Sequence, residues 1–197
     1  MPEDITFEER YARGEIPWDS GVPSEELVRV LDSGKITGRT VLEIGCGTGT
    51  NAIELARRGF NVTAVDYVKQ AVEAARAKAE RAKVNVDFRV ADALKDDLGG
   101  PYDVLFDRGT YHCLRMEHLT RFQEALKRVT RRGSWWLCLA GNAKEKKQDA
   151  GPPVVTEQEI RAELGPLFEI VELREFRFAT NQSDFRPLAW SILMRRK

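Results

Sequence analysis

A glycine-rich turn follows the first strongly apolar run of the sequence. The run Thr40 to Ile44 leads into Gly45-Cys46-Gly47-Thr48-Gly49, and a helical pattern follows from about Asn51 to Arg58. Glycines at such a turn let the backbone approach a ligand closely, and the helix N-terminus offers unpaired N–H groups to polar or anionic ligand atoms. Alone, the turn is a weak signal, because the same glycines could simply pack a strand against a helix.

Carboxylates at the ends of neighbouring strands add chemistry to this turn. Asp66 stands about twenty residues beyond Gly47, at the end of the second expected strand, where it can accept hydrogen bonds from the two hydroxyls of a ribose. Asp92, in Ala91-Asp92-Ala93, ends the third strand, where it can accept from an adenine amino group. Together these residues predict a cofactor that contains adenosine.

Two classes of cofactor fit the glycines, since Gly47 to Ala52 also satisfies the dinucleotide pattern that ends in alanine. Glu43 favours S-adenosylmethionine, because a carboxylate would oppose a pyrophosphate but suits the ammonium of a methionine. Asp92, which can accept from an adenine amino group, also favours S-adenosylmethionine. So does an antiparallel hairpin at the C-terminus, because a dinucleotide sheet normally continues with parallel strands. A nicotinamide-dependent oxidoreductase remains the lesser alternative.

The elements that must position these residues alternate after Gly34 between strand-like and helix-like patterns. Such alternation predicts an α/β fold with a Rossmann-like, doubly wound sheet that is covered on both faces. Seven strands are expected, mostly parallel, with a C-terminal antiparallel hairpin. They are Thr40–Ile44, Asn61–Asp66, Val84–Val90, Tyr102–Asp107, Ser134–Ala140, Phe168–Phe178 and Leu188–Arg195.

Apolar stripes and caps predict the helices between the strands. Helices are expected over Gln70–Ala82 and His118–Thr130, and a capping box of Thr156 and Glu159 starts another that ends at Gly165-Pro166. In the strand from Phe168, the apolar parity changes between Ile170 and Val171 and again between Leu173 and Phe176. The two changes predict a bulge or a bend.

Three stretches are expected to be loops near the ligand, because ligands of an open α/β sheet bind at the carboxyl ends of its strands. They are residues 1–23, ahead of a helix capped by Ser24, residues 142–155, and residues 180–187. We expect one domain over 1–197, with a lid and helix in 1–35 and the core in 36–197.

Composition narrows the choice of partners and location. The 31 basic residues balance the 31 acidic residues, so no net field attracts nucleic acid or an acidic membrane. The N-terminus lacks an apolar leader and no long apolar run occurs, which predicts a cytoplasmic protein without membrane contact. The three cysteines show no metal-ligand spacing, so no metal is expected. Oligomeric state is left open.

The residues from Leu42 to Gly49, with Asp66, Asp92-Ala93 and the closing hairpin, resemble a class I S-adenosylmethionine-dependent methyltransferase over roughly residues 36–197. The lead-in Ile16 to Pro23 resembles the thiopurine, thiol and halide methyltransferase group. Cys46 to Asn51 with Gly59 to Asp66 is similar to the tellurite-resistance methyltransferases. Both resemblances imply a small acceptor with a soft nucleophile, such as a thiol.

The resemblance also implies roles for single residues around S-adenosylmethionine and its product S-adenosylhomocysteine. Glu43 would lie near the methionine amino group and Asp66 on the ribose. Trp18 would cover the methionine end, with Tyr11 a weaker candidate. The remaining cofactor contacts would be Gly45, Cys46, Gly47 and Gly49 beneath it, Tyr67 against adenine, and Asp92 with Ala93 at the adenine amino group.

The segment Phe106 to His112 ends the fourth strand, where class I methyltransferases meet the acceptor. Asp107 could contact cofactor or acceptor, and Arg108 could hold an anionic acceptor or pair with a carboxylate. Tyr111 and His112 could orient the acceptor or take its proton, although His112 could equally be structural. No catalytic residue is assigned, because methyl transfer from a sulfonium needs mainly alignment and exclusion of water.

A protein-lysine N-methyltransferase is the main alternative, because Phe106-Asp107-Arg108-Gly109-Thr110 is also similar to the Asp-Lys-Gly-Thr segment of eukaryotic lysine methyltransferases. An open, acidic acceptor groove would favour the lysine enzyme. A closed pocket that is roofed by the N-terminal segment would favour a small molecule.

Overall fold

The structure, a computed structural model, describes residues 5–145, 152–182 and 184–197. Over these residues, seven strands form one sheet in the order β3-β2-β1-β4-β5-β7-β6. The strands are β1 (Thr40–Ile44), β2 (Asn61–Asp66), β3 (Asp87–Val90), β4 (Tyr102–Arg108), β5 (Thr130–Gly141), β6 (Phe168–Arg177) and β7 (Leu188–Arg196).

Strands β1 to β5 pair in parallel, whereas β7 lies antiparallel between β5 and β6. The order reverses at β1, whose neighbours are β2 and β4. At such a reversal the loops that follow adjacent strands leave a crevice for ligands. The expected Rossmann-like sheet and its C-terminal antiparallel hairpin are confirmed.

The described ranges contain six helices, two before β1 and four between strands. They are α1 (Phe7–Arg13), α2 (Glu25–Asp32), α3 (Thr50–Arg57), α4 (Lys69–Ala82), α5 (Thr110–Val129) and α6 (Glu157–Leu164). None of these helices is long and apolar enough to cross a membrane.

Two apolar clusters cover the two faces of the sheet. Alternate residues of each buried strand point to opposite faces, so Val104 joins the cluster of α2, α3 and α4, and Leu105 joins that of α5 and α6. Trp135 and Trp136 divide in the same way. Burial of each large apolar side chain contributes roughly 1.5–3 kcal/mol. These clusters hold the strand ends in a fixed arrangement.

The N-terminal segment differs from its prediction. Residues 1–23 are expected to be a loop, but α1 occupies Phe7–Arg13, and Thr6 with Glu9 forms a complete capping box at its start. The sequence contains this signature, Thr-x-x-Glu, in the same form that announces α6. The loop prediction was therefore wrong for these residues.

Helix α5 begins at Thr110 rather than His118, because the apolar stripe of residues 119–129 marks only its second part. His118 has non-helical angles, φ −129° and ψ 20°, at a kink between the two parts. The third strand begins at Asp87 rather than Val84, and β5 extends from Thr130 to Gly141.

The bulge or bend expected in β6 is present as a bulge. The pairing of β6 with β7 shifts register between Ile170 and Glu172, which leaves Val171 as the bulged residue. No shift accompanies the second parity change, because pairing continues regularly from Leu173 to Phe176. The expected bulge is therefore confirmed, at the first of the two parity changes.

Candidate functional site

The carboxyl ends of β1, β2 and β4 open into a cavity of about 1050 Å³. The N-terminal segment, the start of α5 and the described parts of the two late loops complete its wall. These lining segments lie within residues 7–22, 43–51, 65–68, 91–93, 108–118, 141–154 and 177–188. The predicted loops therefore meet at one site, although residues 146–151 and 183 lie outside the described residues.

The glycine-rich turn uses its own N–H groups inside the protein. Gly45 and Cys46 donate to the carbonyl of Val65 over 2.8 and 2.9 Å, and Gly47 donates to Oδ2 of Asp66 over 2.9 Å. A Cβ on Gly45 would collide with Oγ1 of Thr110. Because these three N–H groups already have acceptors, they are not available to a ligand anion.

Glu43 is buried beside this turn, with 1% of its surface exposed. The side-chain amide of Asn51 and the N–H of Ala52 approach its carboxyl group and favour the charge, but burial dominates and raises its pKa to about 8. Its Oε2 has no hydrogen-bond partner among the described residues. A buried acceptor without a partner is costly, and a ligand cation such as an ammonium would satisfy it.

Asp66 stands at the end of β2 with each carboxylate oxygen held by one backbone N–H. Val68 donates to Oδ1 over 2.9 Å and Gly47 to Oδ2 over 2.9 Å. Each oxygen has a second lone pair, so the carboxylate can still accept two hydroxyl groups. Burial raises the pKa of Asp66, and the two N–H groups oppose that rise. The geometry suits a ribose.

Tyr67 and Asp92 lie farther along the same side of the cavity, together with Ala93. Tyr67 is half-exposed, and Phe7 packs edge-on against its ring at 6.4 Å between centroids. Asp92 is already engaged, because Leu94 N donates to Oδ1 over 2.8 Å and Lys95 Nζ lies 2.7 Å from Oδ2. The Lys95 ammonium helps to hold the pKa of Asp92 below its usual value despite partial burial.

Aromatic side chains of the N-terminal segment roof the cavity. Phe7 and Tyr11 both pack edge-on against Trp18, at 5.4 and 6.0 Å between centroids. Asp19 accepts a hydrogen bond from Oγ1 of Thr48 over 2.6 Å, and the carbonyl of Pro17 accepts one from Asn181 N over 3.0 Å. The segment is thus tied to the glycine turn on one side and to the β6–β7 loop on the other.

Arg108 ends β4 beneath this roof. It donates to the carbonyls of Trp18 and Ala179 over 2.9 and 2.6 Å, and its guanidinium lies 4.6 Å from the ring centre of Phe178. No carboxylate of the described ranges lies within ion-pair distance, and burial lowers the pKa of Arg108 to about 10. Within the described ranges, Arg108 therefore presents a charge without a paired anion.

His112 lies one turn into α5, with 4% of its surface exposed. Its Nδ1 accepts the N–H of Gly141 over 2.7 Å, so the proton of the neutral ring is assigned to Nε2. Burial, followed by the charges of Arg108 and Arg115, lowers its pKa to about 4. The ring is a neutral hydrogen-bond donor on the cavity side and is poorly suited to accept a proton.

Asp107 and Tyr111 are placed behind the cavity wall rather than in it. Oδ1 of Asp107 accepts the N–H groups of Thr110 and Tyr111 over 3.1 and 3.0 Å, and Oδ2 accepts Nε1 of Trp136 over 3.0 Å. Burial raises the pKa of Asp107 to about 6. The hydroxyl of Tyr111 donates to Glu163 over 2.6 Å. These side chains are suited to fix the start of α5 rather than to touch a ligand.

Several contributors were missed by sequence reasoning. Phe7 and Asp19 belong to the roof, Asn51 approaches Glu43, and Phe178 packs against Arg108. Only the capping box of α1 could have located Phe7 in a helix. The others depend on contacts between distant parts of the chain. No group of metal-ligating side chains occurs within the described residues.

Comparison with known proteins places this site in a family context. Residues 41–133 match a family model described as a methyltransferase domain. The 2-heptyl-1-hydroxyquinolin-4(1H)-one methyltransferase of Mycobacteroides abscessus is 28% identical over 173 residues, which cover 86% of this chain and 76% of that protein. Human EEF1A lysine methyltransferase 2 is 28% identical over 178 residues, which cover 85% of this chain and 70% of that protein.

Solved structures share the fold of this chain. A structure concerned with the conversion of a disulfide bond into a thioacetal group during echinomycin biosynthesis has a TM-score of 0.78 and 28% identity, over 92% of this chain and 85% of that one. TehB from Haemophilus influenzae has a TM-score of 0.72 and 21% identity, over 86% and 62%. The magnesium protoporphyrin IX methyltransferase of Synechocystis with bound SAM has a TM-score of 0.67 and 18% identity, over 100% and 87%.

Proposed function

Because the chain is an S-adenosylmethionine-dependent methyltransferase of class I, we propose that its acceptor is a small molecule enclosed beneath the N-terminal roof. The observation that carries this proposal is the partial cover of the cavity by Phe7, Tyr11 and Trp18 together with Arg108 at its inner wall. A roofed cavity excludes water, as methyl transfer requires.

The residues at the ends of β1 and β2 suit the cofactor. The unpartnered Oε2 of Glu43 fits the methionine ammonium, and the free lone pairs of Asp66 fit the ribose hydroxyls. We propose that Tyr67, Asp92 and Ala93 flank the adenine. When bound, S-adenosylmethionine supplies a methyl group whose bond to sulfur breaks as the acceptor's lone pair bonds to carbon, the bonding pair returning to sulfur.

The acceptor side of the cavity combines apolar residues with charged ones, among them Arg108, Glu145 and Arg177. Its apolar lining includes Leu114, Met116, Pro153, Val154, Phe178 and Pro187. The charge closest to the inner wall is the cation of Arg108, which would repel the ammonium of a lysine substrate. The lining therefore supports a compact apolar body that carries one nucleophilic atom, a hydroxyl or thiol, and the quinolone methyltransferase relative is consistent with such a body.

A protein-lysine acceptor is the second candidate, because the human relative that methylates lysine matches a similar share of this chain. It would require the roof to open along the whole acceptor side, since the target lysine must enter from a folded protein or peptide. The cationic wall and the roof both count against it.

The test is methyl transfer to a panel of thiols, phenols, hydroxylated heteroaromatics, selenite, iodide and amines, with formation of S-adenosylhomocysteine as the readout. Turnover on a hydroxyl or thiol compound, lost in Asp66→Ala, would support the proposal. Calorimetric binding of the cofactor without turnover on any small acceptor, together with labelling of a lysine in a protein extract, would overturn it in favour of the second candidate.

A further inference from the structure

The contacts of the Arg108 guanidinium with the described residues leave some of its N–H donors without an acceptor and its charge without a paired anion. Arginine has five N–H donors, and two of them meet the carbonyls of Trp18 and Ala179 in the part of the chain that the structure describes. One face rests on Phe178. Neither carbonyls nor a ring compensate a full positive charge, which usually requires a paired anion when it is buried.

His112 contributes a second donor to the same wall. Because Gly141 N–H occupies Nδ1, the proton of the neutral ring is on Nε2, and no acceptor for this proton is found within the described residues. His112 is one of the residues that line the cavity. Arg108 lies close enough to His112 to disfavour its protonation. The wall thus combines one cation and one neutral donor, both without a complementary acceptor.

The charges that face these two groups leave this combination intact. Asp19 and Glu43 act on Arg108 from a distance. We expect Glu43 to pair with the ammonium of the cofactor. Asp19 already accepts a hydrogen bond from Thr48. Arg115, the other cation near His112, is neutralised by ion pairs with Glu159, at 2.6 Å, and with Glu163. Arg108 is therefore the charge that a ligand at this wall would meet.

From this arrangement we infer that the acceptor binds as an anion, an oxyanion or a thiolate, with its charged atom held by the guanidinium of Arg108 and Nε2–H of His112. The inference rests on the proposed function and narrows its acceptor to compounds whose hydroxyl or thiol is acidic. The apolar lining receives the rest of the molecule.

An anionic acceptor removes the need for a base in the site. The proton leaves to water before binding, so the transfer step moves only an electron pair from the acceptor to carbon and another from carbon to sulfur. The anionic acceptor becomes a neutral ether or thioether, and the sulfonium of the cofactor becomes a neutral thioether. The methylated product then lacks the charge that Arg108 attracts, which favours its release.

The experiment uses 4-nitrophenol as a probe, because its phenolate absorbs visible light and its phenol does not. The probe is titrated with acid in the presence of the full-length protein saturated with S-adenosylhomocysteine, so no turnover occurs. We expect the bound probe to ionise about one pH unit below the free probe, since a nearby opposite charge lowers an acid's pKa by about 1–3 units.

Three variants assign any shift to its source. Arg108→Gln should abolish the shift, and Arg108→Lys should restore part of it because the charge remains. His112→Asn keeps an acceptor for Gly141 N–H but removes the Nε2 donor, so it should reduce the shift. Arg177→Gln is the matched control, because Arg177 also lines the cavity but is paired with Glu145 at 2.8 Å. It should leave the shift unchanged.

Thermal unfolding and calorimetric binding of S-adenosylhomocysteine verify that each variant is folded and loaded. A bound probe whose pKa is unchanged or raised in the wild-type protein would refute the inference. Failure of the phenolate to bind while 4-nitroanisole, its neutral methyl ether, does bind would also refute it. Either result leaves the proposed function standing, which fails only if no small acceptor is methylated.

Discussion

The two halves of the cavity differ in the charge of the side chains at their inner walls. The half that we propose for the cofactor, the cofactor half, presents carboxylates at consecutive strand ends, Glu43, Asp66 and Asp92. The half that we propose for the acceptor, the acceptor half, presents Arg108 and a neutral His112, surrounded by apolar residues and by charged ones such as Arg177 and Glu145. One half is thus suited to the cation and hydroxyls of a cofactor, and the other to an uncharged or anionic acceptor.

This contrast indicates how the charges are divided. A sulfonium cofactor with an ammonium group favours acidic surroundings, and a nucleophile is activated by a positive wall. Had the two halves carried the same sign, one of the two ligands would have been repelled. The three predictions that follow test whether the halves are as different as their charges suggest.

The largest effect is expected from Glu43→Gln, which should weaken S-adenosylhomocysteine binding roughly 100-fold or more, about 3 kcal/mol, because it removes a buried partner for the ligand ammonium. The thermal midpoint of the ligand-free protein should change little, since a pKa of about 8 keeps Glu43 mostly uncharged at neutral pH. Isothermal titration calorimetry measures the affinity.

The same calorimetry tests the protonation of Glu43. Binding an ammonium would lower its pKa, so the wild-type protein should release close to one proton at pH 7, visible as a difference in enthalpy between buffers of different ionisation enthalpy. Glu43→Gln should release none. Equal affinity and equal proton release in the two proteins would contradict the proposed role of Glu43 in the cofactor half.

In the acceptor half, protonation of His112 should destabilise the folded protein in acid. Its pKa is about 4 in the folded protein and about 6.5 when unfolded, so the unfolded chain binds more protons between these values. The stability that neutral His112 contributes is present above pH 6.5 and is lost as the pH falls towards 4, by about 3 kcal/mol.

Urea unfolding of the wild-type protein and His112→Asn at several pH values measures this loss. The variant has no imidazole to protonate, so the difference in unfolding free energy between the two proteins should shrink as the pH falls from 7 to 4. A constant difference across this range would show that His112 titrates normally and that its environment is not the dry, cationic wall described above.

The smallest effect is expected at the roof that joins the two halves. Trp18→Ala removes edge-on contacts with Phe7 and Tyr11, each worth about 1 kcal/mol, and should weaken both cofactor and acceptor about five-fold. Trp18→Phe keeps a ring but loses the donor to Tyr11, so it should recover most of the affinity. Weakening of only one ligand would show that the roof serves one half alone.

Much of the cofactor half could be predicted from local sequence. Glu43, the glycines and Asp66 were located because the end of a parallel strand places its next residues at the ligand edge. The hairpin was located because two strand-like runs without an intervening helix must pair antiparallel. The same approach failed for the first part of α5, because residues 110–117 lack an apolar stripe. In addition, the cap of this helix is not part of it: the side chain of Asp107 accepts the first N–H groups of α5.

The acceptor half followed from sequence only as a set of candidates. The four candidates are neighbours in the chain, yet the fold separates them. Trp136 holds Asp107 behind the cavity wall, and Glu163 holds Tyr111 there. Arg108 and His112 line the cavity. Nothing local predicts this division, because it depends on partners tens of residues away.

The sequence by itself predicted the class of fold and the cofactor, and it supplied the residues that we propose to surround that cofactor, because those features depend on short-range order along each strand and turn. Only the tertiary structure decided that α1 and Trp18 roof the cavity, that Arg108 has no paired carboxylate in the described ranges, and that Gly141 fixes the proton of His112 on Nε2. Burial and hydrogen bonding between distant segments set these properties, and both arise only when the chain is folded.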